Sequence, residues 1–340
     1  MRTGDGMADA RGEARGKLTA LLSAPEATLG AVAGDAIAQD AVFDLSCPLD
    51  RLEGREAFID EFVRPLRAAM PHVRRRDEIF IGGDNRRSEG GWWTASVTHY
   101  VGAHAAPLFG ALPSGRLAYF RSGEFYEFAD GKIVRGRIIF DLPDLMRQAG
   151  RSPFPNDLGA EILFPSPETH DGICPPPTPG EDSLTIVERM FAGLHAYDPK
   201  TYASVGQVGT DGTWDSDLMW YGPGGIGSST RWEGFVTDHR QPFLDAFPDR
   251  KGGNHYCRIS DGAYCAVSGW PSMTMTHRAP YLGMPTTGKA LTLRVMDFYR
   301  CAGGRIMENW VLLDLGDLTR QMGGDIFESQ REAGTIAAVR

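Results

Sequence analysis

The sequence predicts an α+β protein built from two copies of one domain. Three features lead to this prediction: an internal repeat, a proline-rich segment between the copies, and helix-like stretches that precede a run of strands in each copy. Helices followed by hairpin-connected strands are typical of an α+β fold, whereas a parallel βαβ fold would alternate the two. At 340 residues the chain is long enough for two domains with separate hydrophobic cores.

The internal repeat is the strongest signal in the chain. Residues 104–150 match residues 277–323 without a gap, so that HAAPLFGALPSG is matched by HRAPYLGMPTTG and FDLPDLMRQAG by LDLGDLTRQMG. His104 is thereby matched by His277. Upstream the match is looser, with GREAFIDEFVRPLRAAMPH resembling GFVTDHRQPFLDAFPD. Duplication of a single domain explains this pattern.

A proline-rich segment separates the two copies. The stretch PSPETHDGICPPPTPGED occupies residues 165–182, and prolines at this density cannot continue a helix or a central strand. The predicted organisation is therefore a first domain over 14–164 with a degenerate motif, an extended linker, and a second domain over 183–330 with a better-preserved motif.

The last strands of the second copy carry a candidate acid. Leu291–Arg300 and Arg305–Asp314 alternate as strands do, so that Trp310, Leu312 and Asp314 share one face of the last strand. Asp is also a favoured N-cap residue, and a helix is predicted directly after this strand. The matching aspartate of the first copy has the same two interpretations, capping and catalysis, and they do not exclude one another.

Composition and charge exclude several classes of function. The net charge of −9 argues against nucleic-acid binding, which needs a concentrated basic face. No apolar run reaches the roughly 18 residues of a membrane span. The first dozen residues lack an apolar signal core, and five cysteines, an odd number, fit reduced thiols. A cytoplasmic protein without nucleic-acid or membrane partners is therefore expected.

No metal and no cofactor are expected. The chain has no HExxH motif and no tight His/Cys spacing, and His239, His255 and His277 are far apart in sequence. The glycine-rich GPGGIGSS lacks the Gly-Lys-Ser/Thr of a phosphate loop, and no GxSxG elbow occurs.

The pattern HRAPYLGMPTTGK followed by GGRIMENWVLLDLGDLTRQMG resembles the SnoaL-like polyketide cyclase family of the nuclear-transport-factor-2-like (NTF2-like) superfamily. The resemblance covers most of 183–323 and, more weakly, 14–150. It implies two tandem NTF2-like cone-shaped barrels, each a curved antiparallel sheet wrapped by helices around an apolar pocket. It also implies cofactor-free cyclase chemistry, with a catalytic Asp and a nearby His that map to Asp314 and His277.

The expected function is that of a cofactor-free lyase or isomerase, which performs aldol or enolisation chemistry on a small carbonyl-bearing cyclic or aromatic compound. Two alternatives remain open: a non-catalytic module that binds a small ligand, and a hydrolase or dehydratase that uses the same Asp/His pair. The candidate substrate-binding residues are aromatic or histidine side chains of the second copy, each of which has a structural interpretation as well: Trp310, His239, His255, Trp220 and Trp232.

The first copy is a second possible site, with Asp141, His104 and His99 as its candidates. Its sequence departs from the motif, because RGR replaces ENW and places charge where the family keeps an aromatic residue. An active copy and a purely structural copy are both compatible with this difference. Relatives in the superfamily often dimerise through the convex face of the sheet, so the two domains are expected to form an intramolecular pseudo-dimer, with further homo-oligomerisation left open.

Overall fold

The structure, a computed structural model, describes residues 4–159, 163–180, 182–194, 196–204, 206 and 212–331. Each repeat forms a six-stranded sheet with helices packed on one of its faces. This arrangement confirms the predicted α+β class and the two tandem domains.

In chain order, the first domain starts with two helices and ends with one, and all six strands of its sheet lie between these ends. Its helices are α1 (Gly4–Ser23), α2 (Glu26–Ala36), α3 (Arg55–Phe58), α4 (Arg64–Ala69) and α5 (Leu142–Gln148). Its strands are β1 (Ile37–Leu45), β2 (Arg51–Glu53), β3 (Arg74–Asp84), β4 (Trp92–Ala103), β5 (Leu117–Ala129) and β6 (Lys132–Phe140).

The second domain repeats this order with fewer helices at its start. Its helices are α6 (Ser183–Gly193), α7 (Arg231–Phe235), α8 (Gln241–Ala246) and α9 (Leu315–Met322). Its strands are β7 (Trp214–Tyr221), β8 (Ser228–Thr230), β9 (Cys257–Asp261), β10 (Tyr264–Thr276), β11 (Ala290–Ala302) and β12 (Arg305–Leu313).

The two sheets have the same strand order, β2-β1-β6-β5-β4-β3 and β8-β7-β12-β11-β10-β9. The hairpins pair antiparallel as expected, but β1 lies parallel to β6 and β7 lies parallel to β12. The expectation of a wholly antiparallel sheet is thus wrong at one position in each domain. The helices that follow β1 and β7 belong to the long crossover that a parallel pair requires.

The looser upstream part of the repeat is matched closely in structure. In each domain two short α-helices flank one π-helical turn, Ile59–Val63 in the first domain and Val236–Arg240 in the second. Pro65 and Pro242 are each the second residue after these turns. Because proline has no N–H and its ring clashes with a preceding carbonyl, a wider turn before it accommodates the ring without ending the helix.

The outer faces of the two sheets pack against each other. Phe125 of β5 contacts its repeat equivalent Phe298 of β11, with ring centroids 5.6 Å apart. Contact between equivalent residues is a feature of interfaces with twofold symmetry. A buried cluster with members from both domains fills this interface, whereas the inner face of each sheet packs on its own helices.

Candidate functional site

A cavity of about 100 Å³ lies inside the second domain, between the inner face of the sheet and the helices. Alternation along β11 and β12 turns every second side chain toward it. The lining is mostly apolar and aromatic, and its polar members are few: His239, Arg240, Arg250, Asp297, Tyr299 and Asn309. A concave apolar site with a small number of polar groups is typical of ligand-binding pockets.

Asp297 is the carboxylate that lines this cavity. It lies on β11, and the side chains of Asn309 and Tyr299 lie beside it. Desolvation by the surrounding protein raises the pKa of the Asp297 carboxyl to about 7, and these two polar neighbours oppose the shift only in part. At neutral pH both the acid and the carboxylate are therefore populated, as a group that takes up and returns a proton requires.

Arg240 and Arg250 supply positive charge to the same cavity. Nε of Arg240 donates to the backbone oxygen of Tyr202 at 2.7 Å, and Nη2 of Arg250 donates to the backbone oxygen of Leu194 at 3.2 Å. Burial lowers the pKa of each guanidinium to about 10, and the charge of Arg250 adds to the effect on Arg240. Both side chains still carry their charge at neutral pH.

His239 forms part of an aromatic wall of the cavity. Its ring stacks on Trp220 with centroids 4.2 Å apart and also on Phe235 and Phe243. Burial, followed by the charges of the two arginines, lowers the pKa of His239 to about 3, so the imidazole is neutral. Two predicted substrate-binding residues, His239 and Trp220, thus lie at the cavity.

The other predicted substrate-binding residues lie elsewhere. Trp310 occupies the opposite face of β12, where its ring packs on Tyr221 and its N–H donates to the backbone oxygen of Pro165 at 2.9 Å. Trp232 packs edge-on against the ring of Phe235.

His255 lies outside the cavity lining as well. It packs on Phe191, and its Nδ1 accepts a hydrogen bond from Nε of Arg258 at 3.1 Å. Burial, followed by the charges of Arg258 and Arg87, lowers its pKa to about 3, so this imidazole too is neutral.

Asp314 is the N-cap of α9, as one of its two sequence-based interpretations predicted. Its Oδ1 accepts the backbone N–H of Asp317 at 3.0 Å. The carboxylate also accepts the backbone N–H of Cys47 in the first domain at 3.2 Å and pairs with Nη1 of Arg294 at 3.0 Å. Burial raises the pKa of Asp314 to about 6 against these partners. The described contacts of Asp314 therefore hold a helix and the domain interface.

His277 is separate from Asp314. Its Nδ1 lies 3.1 Å from Oγ1 of Thr287, and its ring packs near Phe247 with centroids 5.6 Å apart. Within the described part of the chain, no hydrogen bond, ion pair or ring contact joins His277 to Asp314, and neither residue lines the cavity. The structure therefore does not bring the predicted catalytic pair together.

The candidate residues of the predicted second site also have separate partners. Asp141 caps α5 by accepting the backbone N–H of Asp144 at 3.0 Å, and its Oδ2 accepts the backbone N–H of Gly224 in the second domain at 2.8 Å. His104 is fully buried, and neither ring nitrogen has a hydrogen-bond partner among the described residues. Nδ1 of His99 lies 3.2 Å from Oε1 of Glu78.

Two groups of side chains pack inside the first domain. One is a charged network, in which Arg75 pairs with Asp77 at 2.8 Å and with Glu124 at 2.6 Å, and Tyr100 donates to Glu124 at 2.5 Å. The other is a chain of contacting phenylalanine rings: Phe43, Phe58, Phe62, Phe109, Phe120 and Phe140.

Asp297 was not singled out from the sequence, although the repeat contained a signal for it. The gapless match pairs Asp297 with Glu124, so an acidic residue stands at the same inward position of an apolar strand in both copies. A charged residue between buried strand positions is unusual unless it is paired or functional. Arg240 and Arg250 carried no such signal, because their repeat equivalents are Val63 and Val73.

No group of three or more His, Cys, Asp or Glu side chains that could hold a metal ion is present in the described ranges. In the same ranges, no helix combines the length and the apolar character that crossing a membrane requires.

The family of the chain follows from comparison with known proteins. The family model of SnoaL-like polyketide cyclases matches residues 26–149 and 211–322. No match was found among the curated proteins. Three solved structures illustrate the similarity, although their TM-scores are too low to support an argument by themselves.

A protein assigned as a SnoaL-like polyketide cyclase from Jannaschia sp. CCS1 is 17% identical, with 40% of this chain and 90% of that one covered and a TM-score of 0.31. IdmH from Streptomyces antibioticus, assigned as a polyketide cyclase, is 20% identical over 40% of this chain and 98% of its own, with a TM-score of 0.33. A protein from Xanthomonas campestris pv. campestris with the same assignment is 22% identical over 41% and 98%, with a TM-score of 0.30. Because the family model covers both repeats and more than half of the sequence, this chain belongs to the SnoaL-like polyketide cyclase family.

Proposed function

We propose that the second domain is a cofactor-free lyase or isomerase that moves a proton at a carbon next to a carbonyl group. The observation that carries this proposal is Asp297, a carboxylate with a pKa of about 7 in an apolar cavity. A base of this kind removes a proton from the carbon, and the electron pair passes to the carbonyl oxygen to form an enolate. Return of the proton elsewhere completes an isomerisation, and attack of the enolate on a second carbonyl completes an aldol reaction.

The enolate oxygen needs a hydrogen-bond donor, and Tyr299 has the right chemistry for it. Burial raises the pKa of the Tyr299 hydroxyl well above its usual value, with the charge of Asp297 adding to the shift. The hydroxyl therefore keeps its proton and acts as a donor. A fixed donor in a dry site stabilises developing negative charge more strongly than water does.

The chemistry is assigned to the second domain only. In the first domain Glu124, the equivalent of Asp297, is paired with Arg75 and Tyr100, and phenylalanine rings fill the space in which a substrate would lie. We propose that the first domain is structural and that the chain acts as an internal pseudo-dimer. We also propose a reducing, cytoplasmic location, since all five cysteines are free thiols.

The test is hydrogen–deuterium exchange at carbon, followed by NMR in D₂O with the full chain and a panel of cyclohexanone, acetophenone and pyruvate. We expect exchange that rises with pH through about 7, as Asp297 becomes a base, and that falls by about 100-fold or more in D297N. Asp249→Asn, at an exposed aspartate outside the cavity, is the matched control.

D314N decides between the two carboxylates. Asn is also a favoured N-cap residue, so this variant keeps the α9 cap while it removes the charge. If D314N abolishes exchange and D297N does not, the predicted pair of Asp314 and His277 performs the chemistry and the assignment to Asp297 fails. Tight ligand binding without exchange on any carbonyl compound would favour the alternative of a non-catalytic binding module.

A further inference from the structure

Two guanidinium groups line the cavity of the second domain without an ion-pair partner among the described residues. Arg240 and Arg250 are only 5% and 8% exposed. Their hydrogen-bond acceptors are neutral: the backbone oxygens of Tyr202 and Leu194 and the hydroxyl of Ser204. No carboxylate of the described residues forms an ion pair with either side chain. Each therefore retains an uncompensated positive charge within the protein.

Other buried arginines of the chain show how unusual this is. Arg11 pairs with Asp261 at 2.6 Å, Arg300 pairs with Glu308, and Arg75 pairs with two carboxylates. Burial of a charge costs several kcal/mol, by order of magnitude, unless the charge is paired. Aromatic rings compensate only a part of this cost: the Arg240 guanidinium lies 5.6 Å from the centroid of Trp232, and that of Arg250 lies 5.5 Å from the centroid of Tyr197.

The two arginines keep hydrogen-bond donors for a ligand. No described residue accepts a hydrogen bond from Nη1 of Arg240, nor from Nε or Nη1 of Arg250. The donors already in use bind two backbone oxygens and the hydroxyl of Ser204, which fix the orientation of both side chains. The remaining N–H groups can each donate a charge-assisted hydrogen bond to an oxygen of an anion.

We propose that the cavity binds a small organic acid and holds its carboxylate with Arg240 and Arg250. The volume of about 100 Å³ is well below the roughly 300–1,000 Å³ of common ligand pockets, so the acid has few non-hydrogen atoms. The anion supplies the missing counter-charge, and the carbon chain lies along the wall of Trp214, Trp220 and Phe243.

This proposal depends on the proposed function only for the reaction at Asp297, and the binding stands by itself. Together the two give a substrate class: a keto acid whose carboxylate lies at the arginines and whose acidic carbon lies at Asp297. The first domain supports this assignment by contrast. Its equivalents of His239, Arg240 and Arg250 are Phe62, Val63 and Val73, so it has lost or never had the anion site along with the cavity.

The experiment is calorimetric titration of the full chain with pyruvate and with pyruvamide, its neutral counterpart with the same number of non-hydrogen atoms. We expect pyruvate to bind at least about tenfold more tightly, because a charge-assisted hydrogen bond is worth about 1.5–3 kcal/mol. Arg240→Met and Arg250→Met should each weaken pyruvate binding by about tenfold or more and leave pyruvamide binding unchanged. Arg278→Met, which removes one charge from an exposed position, should leave both affinities unchanged.

Equal affinity for pyruvate and pyruvamide, or no binding of either by the folded unmodified chain, would overturn the proposal without any variant. Unchanged pyruvate affinity in folded R240M and R250M would overturn it as well. If inorganic phosphate binds more tightly than pyruvate, the arginines bind a phosphate group and the proposed carboxylate ligand is wrong. D297N separates the two proposals, since it should keep pyruvate affinity while it loses exchange. Binding without any exchange in the unmodified chain removes the proposed reaction and leaves the anion site in place.

Discussion

The two domains share a fold and an interface but differ in what fills their barrels. The first contains a paired Arg75–Glu124 network and a stack of phenylalanine rings. The second contains a cavity with one carboxylate and two unpaired guanidinium groups. Single replacements at equivalent positions account for much of this difference, since Leu293 and Leu313 of the second domain correspond to Phe120 and Phe140 of the first.

Some contacts between the domains, in contrast, are made by residues that both copies keep. Asp141 and Asp314 each cap a C-terminal helix and accept a backbone N–H from the other domain, at Gly224 and Cys47. These two capping aspartates are kept in both copies, whereas Asp297, Arg240 and Arg250 of the candidate site correspond to Glu124, Val63 and Val73.

The largest loss of stability is expected in the first domain. Glu124→Ala removes one of the two carboxylates of Arg75 and the acceptor of Tyr100, and leaves a buried charge less well paired. We expect a loss of about 3 kcal/mol in the free energy of unfolding, measured by urea denaturation. Asp297→Ala, at the equivalent position of the second domain, should cost much less. Equal losses would contradict the distinction between a structural and a functional carboxylate.

Asp141→Ala and Asp314→Ala test the interface. Each removes an N-cap, worth about 1 kcal/mol, and a hydrogen bond to the other domain, worth about 1 kcal/mol more. We expect losses of similar size from the two variants in chemical denaturation. The corresponding Asn variants should recover most of the capping contribution. A loss confined to one variant would show that the interface is not symmetric in energy.

A pH-dependent effect of opposite sign is expected from Asp297→Asn. The folded-state pKa of about 7 lies above the unfolded value, so the folded chain keeps a proton that the unfolded chain has released. This contribution to stability is complete below pH 4 and is lost as pH rises to about 7. We expect D297N to be more stable than the unmodified chain by up to about 4 kcal/mol at pH 8, since each pKa unit corresponds to about 1.4 kcal/mol, and equal to it near pH 4, in thermal unfolding. A constant difference across this range would contradict the raised pKa.

The last prediction concerns assembly: we expect the protein to remain a single chain in solution. Within the described residues, the outer faces of the two sheets pack on each other, so a second chain would have to bind elsewhere. We expect light scattering to give the mass of one chain across a wide concentration range. A dimer as the smallest species would show that the internal contact does not replace the one between chains.

The sequence alone predicted the duplication, the α+β class and the proline-rich segment between the copies, and it offered N-capping as one of two interpretations of Asp141 and Asp314. These depend on local patterns, namely alternation, turn residues and capping residues, and such patterns can be read without a partner segment. It also predicted that Trp310 and Leu312 share one face of β12, whereas Asp314, which was expected to share that face, lies just after the strand as the N-cap of α9.

Only the tertiary structure decided which face of β12 is the inner one. Both faces of the strand are buried, one against the helices and one against the other domain, so hydrophobic alternation distinguishes two faces without ranking them. For the same reason Asp297, Arg240 and Arg250 could not be joined from the sequence, since a strand and two helix ends that are distant along the chain meet only when the sheet curves around the cavity. The parallel pairing of β7 with β12 was decided in the same way, by a contact between segments far apart in sequence.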